Sequence, residues 1–211
     1  PTDDDHRRQL LGFDCTTTDG VMTLRRVYMR QSAVLPGYPD GVAGIRIGAG
    51  HRGEVLMEDC HIEQRGSSSF RSTHPTGVLH VKGGLFKNND NTNMRIAAGD
   101  HPSKVSWIRG AKVVVDADNL NEYAKDGDRL ESPEGLRVDS TGHGYTGVVI
   151  EDCEFVYRSA PQSRGIVTVP SWSDHGRFTM RNCSIVNDAD VQTIQVQDAD
   201  TGSITPPYGP V

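Results

Sequence analysis

Three segments of the chain repeat one phrase: Val55-Leu56-Met57-Glu58-Asp59-Cys60-His61-Ile62, Val148-Val149-Ile150-Glu151-Asp152-Cys153-Glu154-Phe155 and Phe178-Thr179-Met180-Arg181-Asn182-Cys183-Ser184-Ile185. Looser copies run from Met22 to Met29, from Leu79 to Phe86 and from Ser106 to Val113. A unit that recurs every few tens of residues points to a stack in which each unit buries its apolar face against its neighbours. Within the phrase apolar residues alternate with polar ones, the period of a strand. The chain is therefore expected to be a coil of β-structure.

Aligned copies give three columns with different steric demands. Leu24, Met57, Val81, Ile108, Ile150 and Met180 are expected to point inward. Two positions on stand Asp59, Gly83, Gly110, Asp152 and Asn182, the residue types that tolerate a left-handed backbone, so a bend is expected at one point of every coil. Arg26 is the exception in the first copy. Small residues follow the bend (Val27, Cys60, Gly84, Ala111, Cys153, Cys183), then a second apolar column of Met29, Ile62, Phe86, Val113, Phe155 and Ile185.

A shorter phrase precedes each copy: Ile45-Arg46-Ile47, Phe70-Arg71-Ser72, Met94-Arg95-Ile96, Leu136-Arg137-Val138, Val167-Thr168-Val169 and Ile194-Gln195-Val196. Each coil thus holds a short strand, a turn, a strand, a left-handed bend and a last strand. The expectation is an all-β, right-handed, single-stranded parallel β-helix of about seven coils, the last incomplete, roughly 30 Å tall. It spans residues 1–197, with 1–9 as N-terminal cap or leader and 198–211 as an irregular Pro-rich cap or linker. With Pro1 in first place, the sequence reads as a processed product or a fragment. This pattern resembles the right-handed parallel β-helix repeat proteins of the pectate-lyase-like superfamily, without assigning a subfamily. That fold hosts lyases, hydrolases, epimerases, phage tailspikes and passive surface proteins, so the resemblance implies architecture more than activity.

Composition narrows the classes. Aromatics make up 6% of the chain and glycines number 23, which suits a narrow interior of small and branched side chains better than a compact α/β enzyme. A net charge of -6 argues against a nucleic-acid partner, and no apolar run is long enough to insert in a membrane. The four cysteines lack the C-x-x-C spacing of zinc sites, and Cys60, Cys153 and Cys183 are read as small core residues. A Cys153–Cys183 disulfide is disfavoured because residues stacked in adjacent coils have parallel Cβ vectors.

Four sets of residues are candidates for chemistry. Arg46, Arg71, Arg95 and Arg137 each follow an inward apolar residue, so they are expected to face solvent in one column about 5 Å apart. Their repulsion calls either for pairing with carboxylates (Asp90, Asp139 or those within 116–134) or for an anionic ligand suited to the guanidinium fork. In the families the chain resembles, that face and its loops often form a glycan cleft. A histidine series, His51, His74, His101, His143 and His175, falls in the turn before each main phrase, and is read first as polar turn residues bonded to backbone. Gly142-His143-Gly144 beside Asp139 resembles a piece of the polygalacturonase signature, whose other parts are missing. Trp107, Tyr145, Tyr157 and Trp172 are expected to be exposed aromatics that could stack on sugar rings.

These readings converge on a non-catalytic structural or binding module of an extracellular, cell-surface or virion (tail-fibre or spike-like) assembly. The ligand-contacting residues are expected to be Arg46, Arg71, Arg95, Arg137, Asp139 and His143, against an acidic polysaccharide. No catalytic residue, metal ligand or cofactor is assigned, and the coil ends are expected to be covered by other subunits or chain segments. The alternative is a polysaccharide lyase or epimerase acting on uronic-acid polymers. The resemblance would then imply calcium held by Asp, with Arg95 or Arg137 neutralising the substrate carboxylate beside Asp139.

Overall fold

The computed structural model describes residues 9–30, 42–72, 76–97, 99, 101, 103–124, 127, 129–139, 147–170 and 178–196. Those residues form no helix, and every strand pair is parallel. Three sheets run the length of the stack. Sheet A joins Gln9–Phe13, Ala43–Ile47, Ser68–Ser72, Thr92–Ala97, Glu134–Asp139, Val167–Val169 and Ile194–Val196. Sheet B joins Val21–Arg25, Glu54–Glu58, Val78–Lys82, Ser106–Arg109, Val148–Glu151 and Phe178–Arg181. Sheet C joins Tyr28–Met29, His61–Glu63, Leu85–Lys87, Lys112–Asp116, Glu154–Ser159 and Ser184–Asn187. The chain visits A, B and C in turn, so it is a right-handed parallel β-helix of six full coils plus the first strand of a seventh.

The bend between sheets B and C is built as its residue types require. Asp59, Gly83, Gly110, Asp152 and Asn182 take φ values of 51°, 63°, 64°, 54° and 52°. Arg26 takes the same conformation, φ 54°, and so is exceptional in residue type and not in geometry. It gains nothing locally from being there, but its amide donates to the Glu58 carbonyl at 2.9 Å, as Asp59 donates to Lys82 and Gly83 to Arg109. Inter-coil pairing therefore continues around the bend, and the stack imposes the backbone on the residue least suited to it. A Cβ at Gly83 would lie 2.5 Å from Asp59 Oδ1, so a side chain there would displace that carboxylate.

The interior follows the predicted columns. Met57, Val81, Ile108 and Ile150 from sheet B, Ile62, Phe86, Val113 and Phe155 from sheet C, and Ile45, Phe70, Met94 and Leu136 from sheet A are all essentially sealed from solvent. Cys60 and Cys153 are buried, and all four cysteines are free thiols. The neighbouring Cys183 thiol and burial both push the Cys153 thiol upward, so it is an inert core residue. The columns fail only at the ends. Ile185, in register with Phe155, is exposed in the sixth coil beside Val186, as are Leu10, Leu11, Val21 and Tyr28 in the first. Of the expected N-terminal cap, 1–9, only Gln9 is described, and it opens the first strand of sheet A; the expected C-terminal cap, 198–211, lies outside the described residues.

Between sheets C and A, polar side chains replace apolar packing. Asn89 Nδ2 donates to the carbonyls of Ile62 and Lys87, each at 3.1 Å, while its Oδ1 accepts from the Arg65 amide. Asn88, left-handed at φ 50°, trades bonds with the backbone of Asp116. The long connection after Asp116 then folds back across the stack. The Asn121 amide donates to Gln64 Oε1 at 2.6 Å, and Asn121 Nδ2 donates to the Arg30 carbonyl at 2.7 Å and to Glu63 Oε1 at 3.0 Å. Residues 117–124 are thus a strap tying the fourth coil to the first and second.

Candidate functional site on sheet A

Strand register places the four arginines in one column. Gly12, Arg46, Arg71, Arg95, Arg137, Thr168 and Gln195 stand opposite one another on successive strands of sheet A. The apolar residues flanking each arginine point inward, so the guanidinium stems leave on the outer face. The expectation of full solvent exposure is corrected. Arg95 and Arg137 are buried at 8% and 4% exposure, and Arg46 and Arg71 are half-buried.

The physical reason is a pair of carboxylates on the same face. Arg95 Nε donates to Asp139 Oδ2 at 2.6 Å. Arg137 grips Glu134 with two bonds, Nε to Oε2 at 2.8 Å and Nη2 to Oε1 at 2.6 Å. That fork geometry is the strongest form of such a contact. Glu134 Oε2 also accepts from Thr168 Oγ1 at 3.0 Å and Thr92 Oγ1 at 3.3 Å, so the carboxylate is satisfied from three coils. Burial pulls the pKa of Arg95 below its ordinary value against the pull of Asp139, with Arg71 and Arg137 adding to the lowering. A guanidinium stays charged under such shifts.

A chain of local contacts delivers Glu134 to this place. Buried Asp90, in the polar turn before the fourth strand of sheet A, accepts through Oδ1 from the amides of Glu131 and Ser132. Burial raises its pKa in spite of those two amides. It anchors the end of the long connection three residues ahead of Glu134, and Asn93 Nδ2 fixes the Glu134 carbonyl at 3.0 Å. The next residue, Gly135, has no room for a side chain, since a Cβ would meet the Ile166 carbonyl at 2.5 Å. Fully buried Tyr157 lies behind it, its hydroxyl pushed well above 10.0 by burial and by Glu134.

Of the six expected contact residues, the structure brings five onto one face and splits them. Arg95 and Asp139 form one ion pair, Arg137 is committed to Glu134, and Arg46 and Arg71 continue the column toward the N-terminal end. His143 lies outside the described residues, as do His74, His175, Tyr145 and Trp172. The two described members of the histidine series are backbone-bonded turn residues. His51 accepts from the Cys15 amide at Nδ1 and donates from Nε2 to the Val78 carbonyl at 3.0 Å, with burial lowering its pKa. His101 Nε2 meets the Thr18 carbonyl at 3.3 Å, and its Nδ1 accepts from the Ser103 amide. Among the described residues no group of three His, Cys, Asp or Glu is placed to hold a metal.

Comparison with family models, with characterised proteins and with solved structures gave no match. The site must therefore be judged on its own chemistry. Sheet A presents a cationic column whose two most buried members, Arg95 and Arg137, are paired with carboxylates of the same chain. Asp139 Oδ1, buried beside Arg95, has no hydrogen-bond partner among the described residues.

Proposed function

We propose that this chain is a non-catalytic structural and binding module of an extracellular, cell-surface or virion assembly, and that it contacts acidic glycans through sheet A. The observation that carries this reading is the internal neutralisation of Arg95 and Arg137. Arg95 and Arg137 are buried as well as paired with Asp139 and Glu134, so neither is open to the carboxylate of a substrate. Arg46 and Arg71, half-buried on the same column, are less enclosed than either. The resemblance to the pectate-lyase-like superfamily supports the location, since that face is where such proteins hold glycans.

The test is incubation with a panel of uronic-acid polymers, with and without calcium, following both binding and the absorbance of unsaturated product. Binding without turnover is the expected result, weakened by Arg46→Gln with Arg71→Gln. A second reading, a uronate lyase or epimerase, draws on the unpartnered Asp139 oxygen beside Arg95, the kind of group that would take a cation or a sugar hydroxyl. Turnover that disappears in Asp139→Asn would establish that reading and overturn the first.

A further inference from the structure

Sheet B carries a second charged column, and it is arranged in the opposite way. Arg25, Glu58, Lys82, Arg109, Glu151 and Arg181 are in register on six successive strands, all on the outer face. Glu58 is shared by Arg25 at 2.6 Å and Lys82 at 3.0 Å. Glu151 is shared by Arg109 at 2.6 Å and by Arg181. The carboxylates lie low, at 13% and 14% exposure, while the four cations stand 48% to 63% exposed. Four cations over two carboxylates leave the strip net positive on a chain of net charge -6.

The centre of the strip is its most cationic point. Lys82 and Arg109 are direct neighbours with no acid between them, Lys82 leaning to Glu58 on one side and Arg109 to Glu151 on the other. Arg109 is held there from beneath: its guanidinium carbon lies 4.7 Å from the Trp107 ring centre. Trp107 stacks on His80 at 4.5 Å and 14°. His80 is pinned by Glu54 at Nδ1 and by the Val105 carbonyl at Nε2, both 3.0 Å away. Each ladder arginine meets its carboxylate through Nε, on a side chain that is about half or more exposed.

We propose that the outer face of sheet B is a docking track for a linear acidic polysaccharide lying along the stack, with a sugar carboxylate seated between Lys82 and Arg109. Guanidinium and ammonium groups in fixed positions suit such an anion. Glu58 and Glu151 interrupt the cations at set intervals. Each keeps lone pairs for sugar hydroxyls, whereas they would repel a backbone charged at every linkage. A polymer with neutral, hydroxyl-bearing stretches between its carboxylates fits that alternation, and a polyphosphate backbone does not. The proposal rests on the acidic-glycan reading above and adds to the sheet A contact a second one on sheet B.

The experiment uses the full chain, an oligosaccharide alternating uronate with neutral sugar units as probe and an oligonucleotide of equal charge as competitor. Lys82→Gln with Arg109→Gln, both on exposed side chains, is expected to weaken binding of the oligosaccharide about tenfold and to flatten its salt dependence, as loss of two charge-assisted contacts should. Wild-type binding that is unaffected by this pair but lost in Arg46→Gln with Arg71→Gln would overturn the sheet B track and leave the sheet A reading standing. Stronger binding of the oligonucleotide would overturn the polysaccharide assignment. No binding of this oligosaccharide by the wild type would overturn both readings.

Discussion

The outer faces of sheets A and B carry the same chemistry at the same spacing and use it differently. On sheet A, Arg95 and Arg137 are buried and their carboxylates are sealed at a few per cent exposure. On sheet B the cations stand in water above shared glutamates. The difference comes from what covers each face. At the start of the fifth strand of sheet A the chain sets Glu134 against Arg137, and Asn91 Oδ1 also accepts from Arg137 at 3.4 Å, whereas the B-to-C bend is a tight left-handed turn. Burial turns the charge pairs at Arg95 and Arg137 into stability, and the sheet B cations stay in contact with solvent.

That contrast predicts unequal costs for equal substitutions. Glu134→Gln strands Arg137 as a buried charge and should lower stability by about 3–5 kcal/mol in urea unfolding. Asp139→Asn likewise leaves a buried arginine facing an amide, but a single bond is lost in place of a fork, with an expected loss of about 1–3 kcal/mol. Gly83→Ala tests the frame shared by both faces, since a side chain there needs an unfavourable φ and meets Asp59. A loss of about 1–2 kcal/mol is expected. Glu151→Gln on sheet B should leave the urea midpoint unchanged, because its partners are solvated. A Glu151→Gln cost as large as that of Glu134→Gln would break the comparison.

The fold was legible because its signals are local and repeated. The bend residues prescribe their own backbone, and six copies in register expose the inward columns. Arg26 shows where local reasoning stops: inter-coil hydrogen bonds hold it in a conformation its side chain disfavours, and Arg26→Gly should stabilise the chain by about 0.5–1 kcal/mol. Ile185 marks the same limit, since a column position is buried only if another coil lies above it. For the candidate site, the arginine column and its partner Asp139 were legible from alternation alone. The depth of burial was not, because it depends on connections whose course no periodicity describes. Glu134 stood among the loop acids, but its role was missed. The signals were its three-residue spacing from Arg137 and a threonine in place of arginine at position 168. The Asn88-Asn89-Asp90-Asn91 run also passed unremarked, although residues that bond to backbone and accept positive φ are suited to such a corner. Tyr157, read as an exposed sugar platform, sits fully inside because it continues the inward column of Val113 and Phe155.

The most direct test of the account is a double-mutant cycle on the sheet A pair, Glu134→Gln and Arg137→Met, followed by urea unfolding. Self-neutralisation predicts that the double variant recovers much of the loss, with a coupling of about 2 kcal/mol. Additive losses, agreeing within about 0.5 kcal/mol, would show that Arg137 does not depend on Glu134 and would contradict the claim that sheet A spends its central charges on itself.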